Sequence, residues 1–187
     1  MPGHLILISA PGGVGKDSVI RGLLATLPDC VRNITTTSRP MREGEVDGRD
    51  YYFLSTEQFK EKIAHGDFIE YNFFTGNYYG IERNRLNELL NNHRLVITQA
   101  DINGKQALDR DGIPHLAIFL LPDNLEVLRS RLEKRGSMTP EHINERLRIA
   151  DIEMQAAPNY DLQIVNREGK LDETIRELAK IITERTV

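Results

Sequence analysis

The sequence predicts an α/β fold in which a parallel sheet is covered by helices on both faces, and two observations lead to this prediction. Short, continuous apolar runs, typical of strands buried on both faces, recur along the chain and are separated by stretches with helical periodicity. The first run passes through a glycine turn directly into a helical pattern, as in a strand–turn–helix unit. The apolar runs are residues 5–8, 95–98, 115–121 and 162–165.

A different pattern occupies the stretch between Thr35 and Tyr79, where short aromatic and β-branched pieces are interrupted by glycines. Such pieces predict a small inserted sheet of mixed strands. Within it, Ser55 and Gln58 have the spacing of a capping box, which predicts a helix that continues to Ala64. We therefore expect one domain over residues 1–187, with a core of 1–33 and 82–187 and an insert of about 34–81.

Two features near the carboxyl terminus complete the predicted fold. Arginines surround Gly136 between about residues 131 and 148, which predicts a short arginine-rich lid between two helices. The periodic apolar residues of 171–183 predict a final helix with one face against the core.

Composition excludes several classes of protein. The chain has 187 residues and a formal net charge of -4, so it lacks the basic excess of a nucleic-acid-binding protein. A single cysteine, Cys30, excludes an internal disulfide and a multi-thiolate zinc site. The apolar run at the amino terminus is too short for a signal peptide or a membrane span. We therefore expect a cytoplasmic protein with no membrane segment.

A phosphate-binding loop is predicted where the first apolar run meets the first helix. Glycines allow backbone N–H groups to surround an anion, the helix N-terminus adds partial positive charge, and Lys16 supplies a point charge. The motif G-x-x-x-x-G-K-[ST] is not fully matched, because Ala10 replaces a glycine and Asp17 replaces the hydroxyl residue. The alternative is a glycine turn that only closes a strand onto a helix. The loop residues are Ala10, Pro11, Gly12, Gly13, Val14, Gly15, Lys16, Asp17 and Ser18.

Asp17 requires a separate explanation, because a carboxylate repels polyphosphate unless a cation lies between them. We expect Asp17 to take the place of the usual hydroxyl at Mg²⁺, directly or through water, with help from Ser18.

A second anion site is indicated by Arg39 and Arg42, three residues apart and followed by Tyr51. Guanidinium groups suit a dianionic monophosphate. With these residues and the phosphate loop, the chain resembles the guanylate kinase family, and the resemblance covers nearly its whole length. Further matching landmarks are residues 68–70, 76–80, 101–104, 131–136, 146–147, 153, 160–161 and 165–166.

The resemblance implies an enzyme of purine nucleotide metabolism that transfers the γ-phosphoryl group of ATP to GMP or dGMP, with Mg²⁺ as cofactor. It implies that Lys16, Arg42, Arg135 and Arg146 are catalytic. It also implies that Arg131, Arg135 and Asn166 bind ATP beside the phosphate loop. The GMP-binding residues that it implies are Thr35, Arg39, Arg42, Tyr51, Glu70, Tyr79, Asp101 and Arg146.

Among these residues, Glu70 is expected to discriminate the base. Guanine offers N1–H and an exocyclic amino group, and one carboxylate can accept from both, whereas adenine lacks this donor pair.

The chain departs from the family pattern at two further positions. Ile81 stands where a serine or threonine usually contacts the base, and Gln99 stands where a carboxylate usually lies. Because Asp17 is an extra carboxylate at the phosphate loop, we expect that a charge near the metal has moved from position 99 to position 17.

Two other functions remain open from the sequence. Ribose 1,5-bisphosphate kinases resemble guanylate kinases and can carry the Gly-Lys-Asp-Ser sequence found at residues 15–18. The other alternative is a non-catalytic guanylate-kinase-like module that binds phosphopeptides. Singly, the arginines and Glu70 could be solvated and the tyrosines could be packing residues, but their joint occurrence favours the kinase.

Overall fold

The structure is a computed structural model that describes residues 2–134, 136 and 138–186. Helices separate the strands formed by the four apolar runs, as the sequence predicts for an α/β protein. The elements are β1 (His4–Ser9), α1 (Lys16–Thr26), β2 (Cys30–Arg32), β3 (Thr36–Thr37), β4 (Tyr52–Phe53), α2 (Thr56–Ala64), β5 (Phe68–Phe74), β6 (Asn77–Glu82), α3 (Arg83–Asn92), β7 (Leu95–Gln99), α4 (Ile102–Arg110), β8 (His115–Leu121), α5 (Leu125–Lys134), α6 (Pro140–Met154), β9 (Leu162–Val165) and α7 (Leu171–Arg185).

The larger sheet has five parallel strands in the order β2-β7-β1-β8-β9. All four apolar runs form strands of this sheet, so the prediction of a buried parallel sheet is confirmed. Successive side chains of β1 point to opposite faces, as strand geometry requires. Leu5 and Leu7 pack into one apolar cluster, and Ile6 and Ile8 pack into the other. The sheet therefore has a helix-covered core on each face.

The smaller sheet has four strands in the order β4-β3-β6-β5. Because β3 pairs in parallel with β4 and antiparallel with β6, the sheet is mixed, as predicted. Phe59 of α2 is fully buried and stacks on Phe68, with ring centroids 4.3 Å apart. The division into a core and an insert at residues 34 and 81 stays a prediction.

The capping box before α2 is formed. The Ser55 side chain accepts from the Gln58 backbone N–H, and the Gln58 side chain accepts from the Ser55 backbone N–H. The helix ends at Ala64, as the sequence predicts. Within the part of the chain that the structure describes, no helix combines the length and the apolar character needed to cross a membrane.

Because the core covers both faces of the sheet, an Ile→Ala substitution should lower the free energy of unfolding much more in β1 than at the surface. Ile6 is fully buried on β1, whereas the side chain of Ile152 on α6 is 51% exposed. We expect Ile6→Ala to lower the free energy of unfolding by about 2 to 5 kcal/mol, and Ile152→Ala to change it by less than about 0.5 kcal/mol. Chemical denaturation of both variants checks this, and similar losses would contradict the assignment of the core.

Candidate active site

The phosphate loop lies where β1 ends at the carboxyl edge of the parallel sheet and where α1 begins. Gly13 and Gly15 have φ angles of 102° and 101°, which are left-handed conformations that favour glycine. A Cβ atom on Gly13 would lie 2.9 Å from Leu132 Cδ2, and one on Gly15 would lie 2.8 Å from Asn166 Nδ2. Backbone conformation and close packing therefore both require glycine at these positions.

Two predicted ATP-binding residues hold this loop from behind. Asn166 donates from Nδ2 to the Val14 carbonyl oxygen over 2.7 Å, and Arg131 donates to the same oxygen over 3.0 Å. Arg131 also donates to the Asn166 carbonyl oxygen over 2.9 Å and to Glu168 over 2.7 Å. Both side chains thus fix the position of the loop, and most of the donor capacity of Arg131 is directed at the protein.

Lys16 begins α1 and lies between two cavities. One cavity, of about 600 Å³, is bordered by the phosphate loop. The other, of about 480 Å³, lies under the smaller sheet, and Lys16, Tyr51 and Gln99 line both. Burial lowers the pKa of Lys16, although the nearby carboxylates of Asp17 and Glu153 act in the opposite direction. A poorly solvated ammonium group at a helix N-terminus favours the binding of an anion.

Most of the GMP-binding residues predicted from the sequence meet in the second cavity. These residues come from the segments that follow β1, β2 and β7, from the smaller sheet and its loops, and from α6. The predicted residues that line this cavity are Lys16, Thr35, Tyr51, Glu70, Tyr79, Asp101 and Arg146.

The Glu70 carboxylate has an unusual environment in this cavity. Desolvation, with a smaller contribution from the Asp101 charge, raises the pKa of Glu70 to about 7. Asn72 lies between the two carboxylates and donates to Asp101 Oδ2 over 2.9 Å and to Glu70 Oε2 over 3.3 Å. The sequence analysis missed Asn72. The period of two along β5 could have indicated it, since residues 70, 72 and 74 all line the cavity.

Arg39 and Arg42 belong to the loop before β4 and do not line either of these two cavities. The Arg39 guanidinium donates to Glu45 over 2.7 Å and lies 5.5 Å from the centre of the Tyr51 ring. The Glu45 hydrogen bond, helped by Tyr79, raises the pKa of Arg39. Arg42 is exposed, and its backbone N–H donates to Glu45 over 2.7 Å. A phosphate at Arg39 would therefore compete with Glu45 for the guanidinium group.

Arg32 is a second residue that the sequence analysis missed. Its guanidinium lies 3.7 Å from Asp17 Oδ1. In the amide orientation that satisfies both neighbours, Gln99 donates to Asp17 over 3.3 Å and accepts from Arg32 over 2.9 Å. Two of the positions at which the chain departs from the family pattern, Asp17 and Gln99, are thus in contact. Recognition of β2 as an edge strand would have indicated Arg32, because β2 and β7 end side by side.

Two arginines of α6, within the predicted lid, point in different directions. Arg146 on α6 approaches the phosphate loop, since a Cβ atom on Gly12 would lie 3.3 Å from its Nη1 atom. Arg148 points elsewhere and pairs with Glu145 over 2.8 Å. Arg135, predicted to be catalytic and to bind ATP, lies outside the described residues.

Residues 3–185 match the family model described as guanylate kinase. The chain belongs to the guanylate kinase family. It is 39% identical over 166 residues to a guanylate kinase from Nostoc sp., covering 89% of this chain and 83% of the relative. It is 36% identical over 180 residues to a guanylate kinase from Clostridium perfringens strain 13, covering 96% and 82%.

A solved structure supports the same assignment. The crystal structure of guanylate kinase from Anaplasma phagocytophilum is 27% identical and superposes with a TM-score of 0.77, covering 100% of this chain and 87% of that protein. This member of the guanylate kinase family therefore shares its fold with solved members over its whole length.

The raised pKa of Glu70 predicts a dependence of stability on pH. The folded state holds this proton up to about pH 7 and the reference carboxyl only to 4.5. Stability should therefore fall as pH rises from about 4.5 to about 7 and stay at the lower value above pH 7. We expect Glu70→Gln to be more stable than the parent protein by about 1 to 2 kcal/mol at pH 8, an advantage that declines as pH falls.

Thermal or urea unfolding between pH 5 and pH 8 measures this effect. Glu88→Gln, at an exposed position of α3, is the matched control and should show no such trend. Equal stability of Glu70→Gln and the parent at pH 8 would contradict the prediction.

Proposed function

We propose that this guanylate kinase transfers the γ-phosphoryl group of ATP to GMP or dGMP through two facing anion sites that meet at Lys16. The observation that carries the proposal is the pair of adjoining cavities. One is bordered by a glycine loop at a helix N-terminus, and the other contains a partly buried carboxylate of raised pKa. The first suits polyphosphate and the second suits a base with neighbouring N–H donors.

On the donor side, the backbone N–H groups of residues 12–18 would surround the β- and γ-phosphates, and Lys16 would contact them from the start of α1. Asn166 and Arg131 would act by holding the Val14 carbonyl oxygen, which keeps the loop amides directed at the ligand. Arg146 would approach from α6, because a Cβ atom built on Gly12 would lie 3.3 Å from its Nη1 atom.

On the acceptor side, ionised Glu70 would accept from guanine N1–H and the exocyclic amino group. Asp101 and Thr35 border the same cavity and would complete the base site. Tyr51 and Tyr79, whose ring centroids are 6.0 Å apart, would bind the monophosphate together with Arg39. Arg42 would reach it only through movement of its loop, because its side chain lies outside the cavity in this conformation.

The chemistry needs positioning and charge neutralisation rather than a protein nucleophile. An oxygen of the GMP phosphate attacks the γ-phosphorus of ATP, the bond to the β–γ bridging oxygen breaks, and ADP and GDP result. Lys16, Arg146 and Arg135 would neutralise the charge that spreads over the transferred group, and this stabilises the transition state more than the ground state.

The donor set near the loop fits Mg²⁺, a cation that prefers oxygen ligands and is usually bound by one or two protein groups together with substrate phosphates. The Asp17 side chain is 70% exposed beside Lys16, and Ser18 follows it on α1. Asp17 and Ser18 would hold the ion, which would supply charge neutralisation at the phosphates when bound. The described residues contain no cluster of three or more acidic, histidine or cysteine side chains that could hold a metal by themselves.

A panel of acceptors tests the function. With ATP and Mg²⁺, we expect ADP formation to depend on GMP or dGMP, and to be at least 100-fold slower with AMP or ribose 1,5-bisphosphate, because only guanine satisfies Glu70. Lys16→Met should lower kcat at least 100-fold while leaving the fold intact. A preference for ribose 1,5-bisphosphate would instead indicate a sugar phosphate kinase. Absence of ADP formation with every acceptor would favour a non-catalytic binding module.

The contact between Asp17 and Gln99 predicts that a charge can be moved between them. We expect Asp17→Ser to raise the Mg²⁺ concentration needed for half-maximal turnover several-fold, and Gln99→Asp in the same chain to restore most of the loss. The restored carboxylate would still face Arg32, which Gln99 contacts over 2.9 Å.

A double-mutant cycle on Mg²⁺ dependence, with calorimetric Mg²⁺ binding to the nucleotide complex as a second readout, measures the coupling. Additive damage from the two substitutions, or an unchanged Mg²⁺ requirement in Asp17→Ser, would show that Asp17 does not hold the metal.

A further inference from the structure

The Asn72 side chain occupies a position between the two carboxylates of the second cavity. Its Nδ2 atom donates to Asp101 Oδ2 over 2.9 Å and to Glu70 Oε2 over 3.3 Å. Only the amide nitrogen can face two acceptors at once, so the orientation of the amide is fixed by its neighbours. Both N–H groups of this amide are therefore used to hold carboxylates.

These contacts connect Glu70 to a helix terminus. Asp101 is the N-cap of α4, and its Oδ1 atom accepts from the Gly104 backbone N–H over 3.0 Å. Its other oxygen accepts from Asn72, which in turn donates to Glu70. A continuous series of hydrogen bonds thus runs from the first turn of α4 to one oxygen of Glu70. The second oxygen, Oε1, has no hydrogen-bond partner among the described residues.

Packing limits the freedom of the same group. A Cβ atom on Gly104 would lie 2.4 Å from Ala100 Cβ and 3.4 Å from Glu70 Cδ, so α4 approaches the Glu70 carboxylate closely. Asn72 lies directly opposite Tyr79 in the β5–β6 pair, on the side of the hairpin that faces the cavity. The side chain of Ile81, by contrast, is fully buried in the core and does not line the cavity.

We propose that Asn72 is a positioning residue that fixes the Glu70 carboxylate for the N1–H and amino edge of guanine, and that it thereby determines selectivity for a 2-amino purine monophosphate. This inference rests on the proposed function. Asn72 donates to one oxygen of Glu70 in place of solvent, and the other oxygen stays free to accept from the base.

Several charged or titratable groups surround Glu70 and must be considered in any measurement of pH dependence. Asp101 precedes α4, Arg110 lies at the end of α4, Lys16 lies on α1, and Arg146 lies on α6. The hydroxyls of Tyr51 and Tyr79 also border the cavity. Of these groups, only Asp101 also accepts a hydrogen bond from Asn72, so a change in the acidic limb reports the loss of the Asn72 hydrogen bonds to Glu70 and Asp101.

Asn72→Ala and the isosteric Asn72→Asp test the proposal, with GMP and with IMP, which lacks the 2-amino group. We expect kcat/KM for GMP to fall at least tenfold in both variants, mainly through KM, and the preference for GMP over IMP to fall by about the same factor. The acidic limb of the kcat/KM profile for GMP should move to higher pH, and further in Asn72→Asp, which adds a third carboxylate. Asn87→Ala, at an exposed position of α3, is the same substitution away from the site and should leave all three quantities unchanged.

The outcomes separate this inference from the proposed function. Failure of the parent protein to phosphorylate GMP would refute the proposed function itself. If the parent is active, and Asn72→Asp keeps both its preference for GMP over IMP and its acidic limb, then Asn72 only fills space and the inference is overturned. Asn72→Asp preserves the shape of the side chain, so it remains informative even if Asn72→Ala proves unstable.

Discussion

The connection between β1 and α1 is the constraint on which the rest of this structure depends. A buried central strand must turn within six residues into a helix, and left-handed glycines make that turn possible. The turn leaves backbone N–H groups unpaired at a helix N-terminus, where an anion can satisfy them. Neighbouring elements are arranged around this loop, since Leu128 and Leu132 pack against Gly13 and Asn166 holds the Val14 carbonyl oxygen.

Several charged groups in or near the two cavities are paired within the protein. Arg39 pairs with Glu45, Asp17 lies near Arg32, and Arg131 pairs with Glu168. Substrate binding would exchange some of these partners for phosphate. Such an exchange costs less than the desolvation of an unpaired charge, and it makes binding sensitive to geometry. Glu70 differs because its close neighbour is another carboxylate, Asp101, so its ionised form gains most from a ligand with N–H donors.

In the proposed function, selectivity and stability are opposed at Glu70. The carboxylate would accept from the base, whereas desolvation raises its pKa to about 7 and weakens the fold at neutral and alkaline pH. The single hydrogen bond from Asn72 to Glu70 reduces this cost and leaves the other carboxylate oxygen free. Natural binding sites often combine recognition with local destabilisation in this way.

The roles of the acceptor-site residues followed only from the family resemblance and stay a prediction. The sequence by itself predicted the four apolar strands, the helices between them and the phosphate loop, because hydrophobic period, glycine placement and motif spacing are local properties. It did not determine that Asn72 joins Glu70 to Asp101, or that Arg32 joins Asp17 to Gln99. Arg32 lies at the end of a three-residue strand, which is too short to show a hydrophobic period. Asn72 looks in the sequence like any polar residue of a strand, and only its contact with Asp101 distinguishes it. Those contacts depend on which strand ends lie side by side, and only the packing of the parallel sheet and the hairpin against α4 decides that.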